Sequence, residues 1–363
     1  MSEEKLSKIR DQIDAIDRQL VELINKRAQC AIEVAHVKQA SSSDDDTINF
    51  FRPEREAQVM RKVKAINKGP LADEQAARLI REVMSTCLSL EQPLTIAYLG
   101  PEGTYTQNAA YKQFGHAVTT VPMATIQEVF KKVESGSAHY GLVPVENSTE
   151  GVVTHTLDTF MTTSLSICGE VELAIHHNLA NLSGDISQIK QIYSHQQSFA
   201  QCQKWLTNNM PNIDCIPVSS NAEAARLASE NKDAAAICGL SAVEVFNLSA
   251  CEANIEDMSN NTTRFLVIGK EAIAPSGDDK TSLLIATQNK PGALLNLLKP
   301  FTENNISMSK IESRPAPSGL WEYVFYIDIE GHQQDETVAD ALGKLKQHSS
   351  LLKVLGSYPK AVI

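Results

Sequence analysis

Apolar residues recur at Leu6, Ile9, Ile13, Ile16, Leu20 and Leu23, and again at Cys30, Val34 and Val37. Steps of three and four residues keep them on one helical face. The spacing predicts a helix over about 4–39, roughly 50 Å long. One slot in that seam, position 27, is an arginine. An unpaired buried charge costs several kcal/mol. Arg27 therefore snorkels outward or meets a neighbouring carboxylate, or it awaits an anionic ligand inside a helical bundle. Lys38 follows about three turns later on nearly the same face, roughly 16 Å along the axis. Between them on that face lie Ala31, Val34 and Ala35, all short, which leaves room for a ligand. Arg10, Arg52 and Arg55 are further cations, and with them an anionic small molecule is at least as good a reading as a structural pair.

After a polar stretch over 41–46, a second helix is expected from near Pro53 to the Gly69-Pro70 stop. A third is expected from Asp73, read as its N-cap, to Glu91. Two short helices cannot cover so long a seam, so the pattern predicts an intertwined dimer, with pockets built from both chains. At Gln92-Pro93 the texture changes. Short apolar strands over 94–99, 140–145, 192–193 and 265–268 alternate with helical stretches, which implies an α/β unit of two lobes with a ligand cleft. After a loop over 275–279, the order strand, helix, strand, strand, helix, strand describes an α+β ferredoxin-like module. The expected fold class is thus multidomain, with units over 1–92, 93–274 and 279–363.

Charge and composition narrow the function. The net charge is −11, against a nucleic-acid or acidic-membrane partner. No run of about 20 apolar residues exists to span a bilayer, and the charged N-terminal helix does not read as a signal peptide. Seven scattered cysteines fit a reducing cytoplasm, so a cytoplasmic location is expected. His176 and His177 are adjacent and would point to opposite sides of a strand, and no metal-ligand spacing or glycine-rich phosphate loop appears. Neither metal nor cofactor is expected.

Four motifs then stand in order: 98–106 (YLGPEGTYT), 143–148 (VPVENS), 194–197 (SHQQ) and Thr263-Arg264-Phe265. Two more follow, 289–295 (NKPGALL) and 312–315 (ESRP). With them the whole chain resembles the bacterial bifunctional chorismate mutase–prephenate dehydratases that carry a C-terminal ACT regulatory domain. The resemblance implies two reactions without cofactor. Chorismate rearranges to prephenate in a pericyclic shift, and prephenate loses carbon dioxide and its ring hydroxyl to give phenylpyruvate.

For the mutase, the resemblance implies that Arg10 of a partner chain and Arg27 clamp the substrate carboxylates and that Lys38 faces the breaking ether oxygen. Arg55 and Glu56 match the family's Arg-Glu pair, with Glu56 taking the substrate hydroxyl. Arg52 stands where an aspartate is common, Cys87 where a serine is common, and Glu91 where a glutamine usually donates to the ether oxygen. A carboxylate cannot donate but a carboxylic acid can, so Glu91 is expected to act protonated. For the dehydratase, Thr263 is the implied proton donor, with Arg264 helping to hold the substrate's anionic groups and Phe265 beside it. Asn147, Ser148, Thr104, Thr106 and Gln197 are cleft candidates. His195 is either a pocket donor or a structural hydrogen-bonding residue. The last module implies phenylalanine as effector, near Asn289, Gly292, Ala293, Leu294 and Leu295, with Glu312, Ser313 and Arg314 on the opposing wall across a subunit interface. Two rivals remain at this stage: an amino-acid-sensing two-lobed binding protein, and a dehydratase acting on arogenate.

Overall fold

In the computed structural model, which describes residues 2–41, 51–287, 290–315 and 323–362, the apolar seam forms a single helix, α1 (Ser2–Ser41). Forty residues at 1.5 Å each give roughly 60 Å. It packs on α3 (Asp73–Glu91), and α2 (Pro53–Ile66) packs on α3 as well. Burial along α1 sets in only from Ala28; over 3–27 every side chain but that of Ala15 is exposed. Leu6, Ile9, Ile13, Ile16, Leu20 and Leu23 are each about half exposed. Pro53 opens α2 at a position where a missing N–H costs nothing. Asp73 is the first helical residue of α3 rather than its N-cap: Ala72 holds that place, and its N–H donates to Gln75 Oε1 at 3.2 Å.

The middle of the chain builds two sheets. The first lobe contains β1 (Thr95–Leu99), α4 (Tyr105–Phe114), β2 (Thr119–Met123), α5 (Ile126–Glu134), β3 (Tyr140–Asn147), β4 (Gly151–Val152), α6 (Thr154–Phe160) and β5 (Ser166–Ala174). The chain then crosses to the second lobe. This lobe holds β6 (Asn178–Asn181), β7 (Gln191–His195), α7 (Gln196–Gln201), α8 (Gln203–Asn209), β8 (Asp214–Val218), α9 (Asn221–Ser229), β9 (Ala234–Cys238), α10 (Leu240–Val245) and β10 (Ser249–Glu252). It returns as β11 (Thr262–Gly269), which inserts antiparallel between β3 and β5. The two sheets run β2-β1-β3-β11-β5 and β10-β6-β9-β7-β8. The lobes touch where Gly103 lies against Ala242 and Gly239 against the Tyr105 ring, contacts that an added Cβ would crowd.

The last module has the expected ferredoxin-like order: β12 (Asp279–Thr287), α11 (Ala293–Glu303), β13 (Met308–Pro315), β14 (Tyr323–Glu330), α12 (Glu336–His348) and β15 (Leu351–Pro359), in a sheet ordered β13-β14-β12-β15. One face of this sheet packs on its two helices through Leu283, Ile285, Leu297, Phe301, Ile327 and Leu345. The other face shares a core with the first lobe, where Leu284, Tyr326 and Leu355 join Leu157, Phe160 and Ile167. At Gly356 the backbones are so close that a Cβ would fall 2.2 Å from the Ile167 carbonyl oxygen. The helical segment is also seated on the first lobe. Phe51, just before α2, is buried between Phe114 and Tyr140, ring centroids 5.0 and 5.2 Å away.

Candidate functional site

Helices α1, α2 and α3 enclose a cavity of about 530 Å³, large enough for a small dicarboxylate. Arg27, Lys38, Arg52, Arg55, Glu56, Cys87 and Glu91 all line it, with Cys30, Ala31, Val34, Met84 and Leu88. The short residues between Arg27 and Lys38 do form its wall. Among the described residues, four cations line it against two carboxylates, a lining that favours an anion. Arg52 Nε is held by Glu54 at 2.6 Å. Arg10 lies outside this cavity, exposed on α1, roughly 25 Å from Arg27 along the axis.

Both carboxylates lean toward the acid form. Burial pushes Glu56 up to about 7, against the opposing pull of Arg81 and Arg27. Burial also raises Glu91, against Lys38 and Arg27. Sequence reasoning missed Arg81. It is buried on α3, 3.9 Å from Glu56 Oε2, and donates to the Gln113 carbonyl at the end of α4. Its signal was the same as that of Arg27, since it shares the helical face of Ala77, Met84, Ser85 and Leu88.

A second set of polar groups lies between the lobes. Asn147 Nδ2 donates to Thr263 Oγ1 at 2.7 Å and to Asn261 Oδ1 at 2.9 Å. Because the Thr263 hydroxyl accepts there, it keeps its own hydrogen to donate. Asn147 Oδ1 accepts from the amides of Thr149 and Glu150 and from the Thr149 hydroxyl, which fixes the amide's orientation. Asn261 continues to Gln201 at 3.1 Å, and Gln201 meets His177, whose other ring nitrogen lies 2.9 Å from the Tyr105 hydroxyl. Gln197 and Gln201 both reach Glu150 across the lobes at 3.3 Å. Asn261, Gln201, Thr149 and Glu150 carry no sequence-based expectation; Tyr105 stands in the 98–106 motif without an assigned role, and His177 enters the sequence reading only through metal-ligand spacing. The asparagine two residues before Thr263 in the sequence was the available hint.

The other expected cleft residues are engaged elsewhere. His195 caps α7, its Nδ1 accepting from the Gln197 amide, which is the structural alternative. Ser148 Oγ accepts from the Thr262 amide at 2.9 Å and so ties the β3–β4 turn to β11. Thr104 donates to the Leu99 carbonyl, and Thr106 is buried in α4. The reading of Arg264 as a substrate anchor needs correction. Its guanidinium lies against the C-terminal sheet, bonded to Glu170 at 2.8 Å, Asp328 at 2.6 Å and the Tyr358 hydroxyl at 3.0 Å. Strand alternation sends residue 264 to the face opposite residue 263. Phe265 is likewise a core residue, packed with Phe51, Phe114 and Tyr140.

In the last module, Gly292 adopts a left-handed conformation (φ 79°) just before α11. Ala293 borders a hollow of about 410 Å³ together with Lys290, Pro291, Asn296 and His348. Leu294 and Leu295 are exposed, the latter by 70 %. Glu312 and Ser313 lie on β13 at the sheet edge, and Arg314 beside them bonds Asp158 of α6 at 2.9 Å. Asn289 lies outside the described residues.

Three family models match the chain in series: chorismate mutase type II over residues 9–92, prephenate dehydratase over 96–273 and the ACT domain over 281–347. The bifunctional chorismate mutase/prephenate dehydratase of Pseudomonas aeruginosa is 51% identical over 364 residues, covering 99% of each chain. That of Neisseria gonorrhoeae is 51% identical, covering 98% of this chain and 97% of its own. A solved prephenate dehydratase from Arthrobacter aurescens, in complex with L-Phe, superposes with a TM-score of 0.69 at 35% identity, covering 74% of this chain and 90% of that one.

Proposed function

Since the chain belongs to the bifunctional chorismate mutase/prephenate dehydratase family, we propose that the cavity of α1–α3 is its mutase site and the interlobe surface at Thr263 its dehydratase site. The protein is an isomerase and a lyase of phenylalanine biosynthesis, with an ACT domain. The observation that carries the mutase assignment is the convergence of Arg27, Lys38, Arg52 and Arg55 on one cavity beside a carboxyl at Glu91 that burial keeps toward its acid form.

The rearrangement needs no covalent help. It needs a flexible dicarboxylate held compact and charge stabilised on the departing ether oxygen. Arg27 and Arg55 bind carboxylate in this reading, and Lys38 faces the ether oxygen. Glu91, as an acid, donates to that same oxygen, and Glu56 takes the ring hydroxyl. Arg52 adds a further cation, and Cys87 is a small wall residue. Arg10 comes from a second copy seated along the exposed half of α1. That half buries almost nothing in one chain, so an intertwined dimer both covers the apolar seam and completes the cavity.

In the dehydratase, the Thr263 hydroxyl gives its proton to the leaving ring hydroxyl as carbon dioxide departs and the ring aromatises. A free threonine is a poor acid, so Asn147, donating to Thr263 Oγ1, supports the developing alkoxide. Phenylalanine is the effector, held between the Gly292–Leu295 segment of one ACT domain and the Glu312–Arg314 edge of another. The exposure of Leu294 and Leu295 supports a site completed by a second subunit. Prephenate rather than arogenate is the substrate, because the fused mutase makes it in the same chain.

The test is direct. Purified protein given chorismate alone produces prephenate and then phenylpyruvate, and phenylalanine alters the second rate. Lys38→Ala abolishes the first step and Thr263→Ala the second, each sparing the other. Retention of most phenylpyruvate formation from added prephenate in Thr263→Ala removes Thr263 from its role.

A further inference from the structure

Thr263 and Arg264 of β11 stand opposite Asn147 and Glu146 of β3. Successive residues point to opposite sheet faces. Thr263 and Asn147 therefore meet on the interlobe face, while Arg264 and Glu146 point to the ACT sheet. The charges on the two facing sheets are complementary. Glu146, Arg264 and Glu170 lie across β3, β11 and β5, and they face Lys310, Asp328 and Lys280 across β13, β14 and β12. The three ion pairs close at 2.7, 2.6 and 2.8 Å. The ladder is tied on the ACT side too, since Ser282 Oγ donates to Asp328 at 2.6 Å and lies 2.7 Å from the Tyr358 hydroxyl.

We propose that Lys310 and Asp328 are positioning residues for the dehydratase: gripping Glu146 and Arg264 from behind, they hold the adjacent Asn147 and Thr263 in reacting geometry. The strand β13 carries the effector signal to them. It is the edge strand of the ACT sheet, so it moves at the cost of one ladder. Two ion pairs fasten it to the dehydratase, Lys310–Glu146 and Arg314–Asp158. The expected effector wall, Glu312 to Arg314, begins two residues beyond Lys310. A shift of β13 toward a ligand draws Lys310 off Glu146 and loosens Asn147 beside it. Misplacement by about 1 Å costs on the order of 10²-fold in rate, so a small movement suffices. The proposal rests on Thr263 and Asn147 being the dehydratase pair.

The experiment uses the full-length chain with Lys310→Met, Lys310→Arg, Lys310→Glu and the swap Lys310→Glu/Glu146→Lys. In each, mutase turnover, dehydratase kcat and KM, and phenylalanine binding by calorimetry are measured. Lys310→Met lowers dehydratase kcat about ten-fold with KM changed less than about two-fold, the signature of a lost transition-state arrangement. Mutase turnover stays at the wild-type level, Lys310→Arg keeps most dehydratase activity, and the swap recovers most of what Lys310→Glu loses. Phenylalanine still binds Lys310→Met but no longer changes its dehydratase rate. Unchanged dehydratase kcat and effector response in Lys310→Met overturn the proposal. So does a parallel fall of both activities, which marks a general loss of fold, or a swap without recovery. Thr263→Ala run alongside separates the two levels: an active Thr263→Ala enzyme overturns the site reading underneath, whereas an inactive one beside a normal Lys310→Met enzyme overturns only the role of Lys310.

Discussion

At the scale of single residues, the proposed mutase site makes predictions through where its carboxyls titrate. Glu91 stands in a half-buried position, raised by burial against Lys38 and Arg27. If its acid form donates to the ether oxygen, mutase kcat/KM falls as pH rises through its pKa. Glu91→Gln, a donor at any pH, removes that limb and extends activity to higher pH, read from pH–rate profiles of the two proteins. Glu56 makes a stability prediction in the unliganded protein. A carboxyl raised from 4.5 to about 7 binds its proton more tightly folded than unfolded. Its contribution to stability is therefore greatest below the unfolded value and is lost as pH rises through about 7. The shift corresponds to a loss of at most about 3 kcal/mol. The fall in unfolding temperature of the helical segment between about pH 5 and pH 8, followed by calorimetry, accordingly shrinks in Glu56→Gln. Arg27 and Lys38 were legible because a cation interrupts an apolar period. Arg264 was misread because a motif names neighbours without saying which strand face each occupies, and a partner sheet claimed its side.

At the scale of elements, α1 states its own deficiency. Hydrophobic period located the helix and its seam, and the lengths of α2 and α3 implied that both could not cover it. Where they do cover it, from Ala28 onward, is a tertiary result that no period reveals. The face over 6–23 remains open in one chain. An acidic residue in that face, Ile13→Glu with Ile16→Glu, is expected to prevent pairing, because two charges cannot be buried unpartnered between helices. Sedimentation then reports a smaller species. Mutase activity falls by at least about 100-fold, the scale expected when a transition-state contact such as the partner's Arg10 is removed, while the dehydratase retains turnover. A full-sized oligomer with normal mutase activity counts against the intertwined arrangement. The strands show the complementary limit. Each apolar stretch marked a strand, yet the return of β11 from the second lobe to lie between β3 and β5 depends on long-range pairing. That insertion is what sets Thr263 beside Asn147.

At the scale of the whole molecule, the two activities share a foundation that domain boundaries conceal. Phe51 precedes Arg52 and Arg55, which line the helical cavity, by one and four residues, yet its ring is fully buried in the first dehydratase lobe with Phe114 and Tyr140. Leu88, which lines the mutase cavity, packs against the same cluster. Arg81, behind Glu56, donates to a carbonyl of α4. Gly115 sits so close to α3 that a Cβ would fall 2.4 Å from that of Ser85. The proposed mutase pocket is therefore shaped partly by a neighbouring domain. A fragment of residues 1–92 exposes Phe51 and leaves the start of α2 unpinned. Burial of such an aromatic side chain is worth about 3 kcal/mol, enough to displace Arg52 and Arg55 from the cavity wall much of the time. The fragment is expected to show a lower mutase kcat/KM than the full chain, and Phe51→Ala in the full chain to reproduce much of that loss, while Phe51→Leu restores most of it. Equal mutase kinetics in the fragment, the intact protein and Phe51→Ala, measured at matched dimer content, defeat the idea that the dehydratase lobe seats the mutase helix.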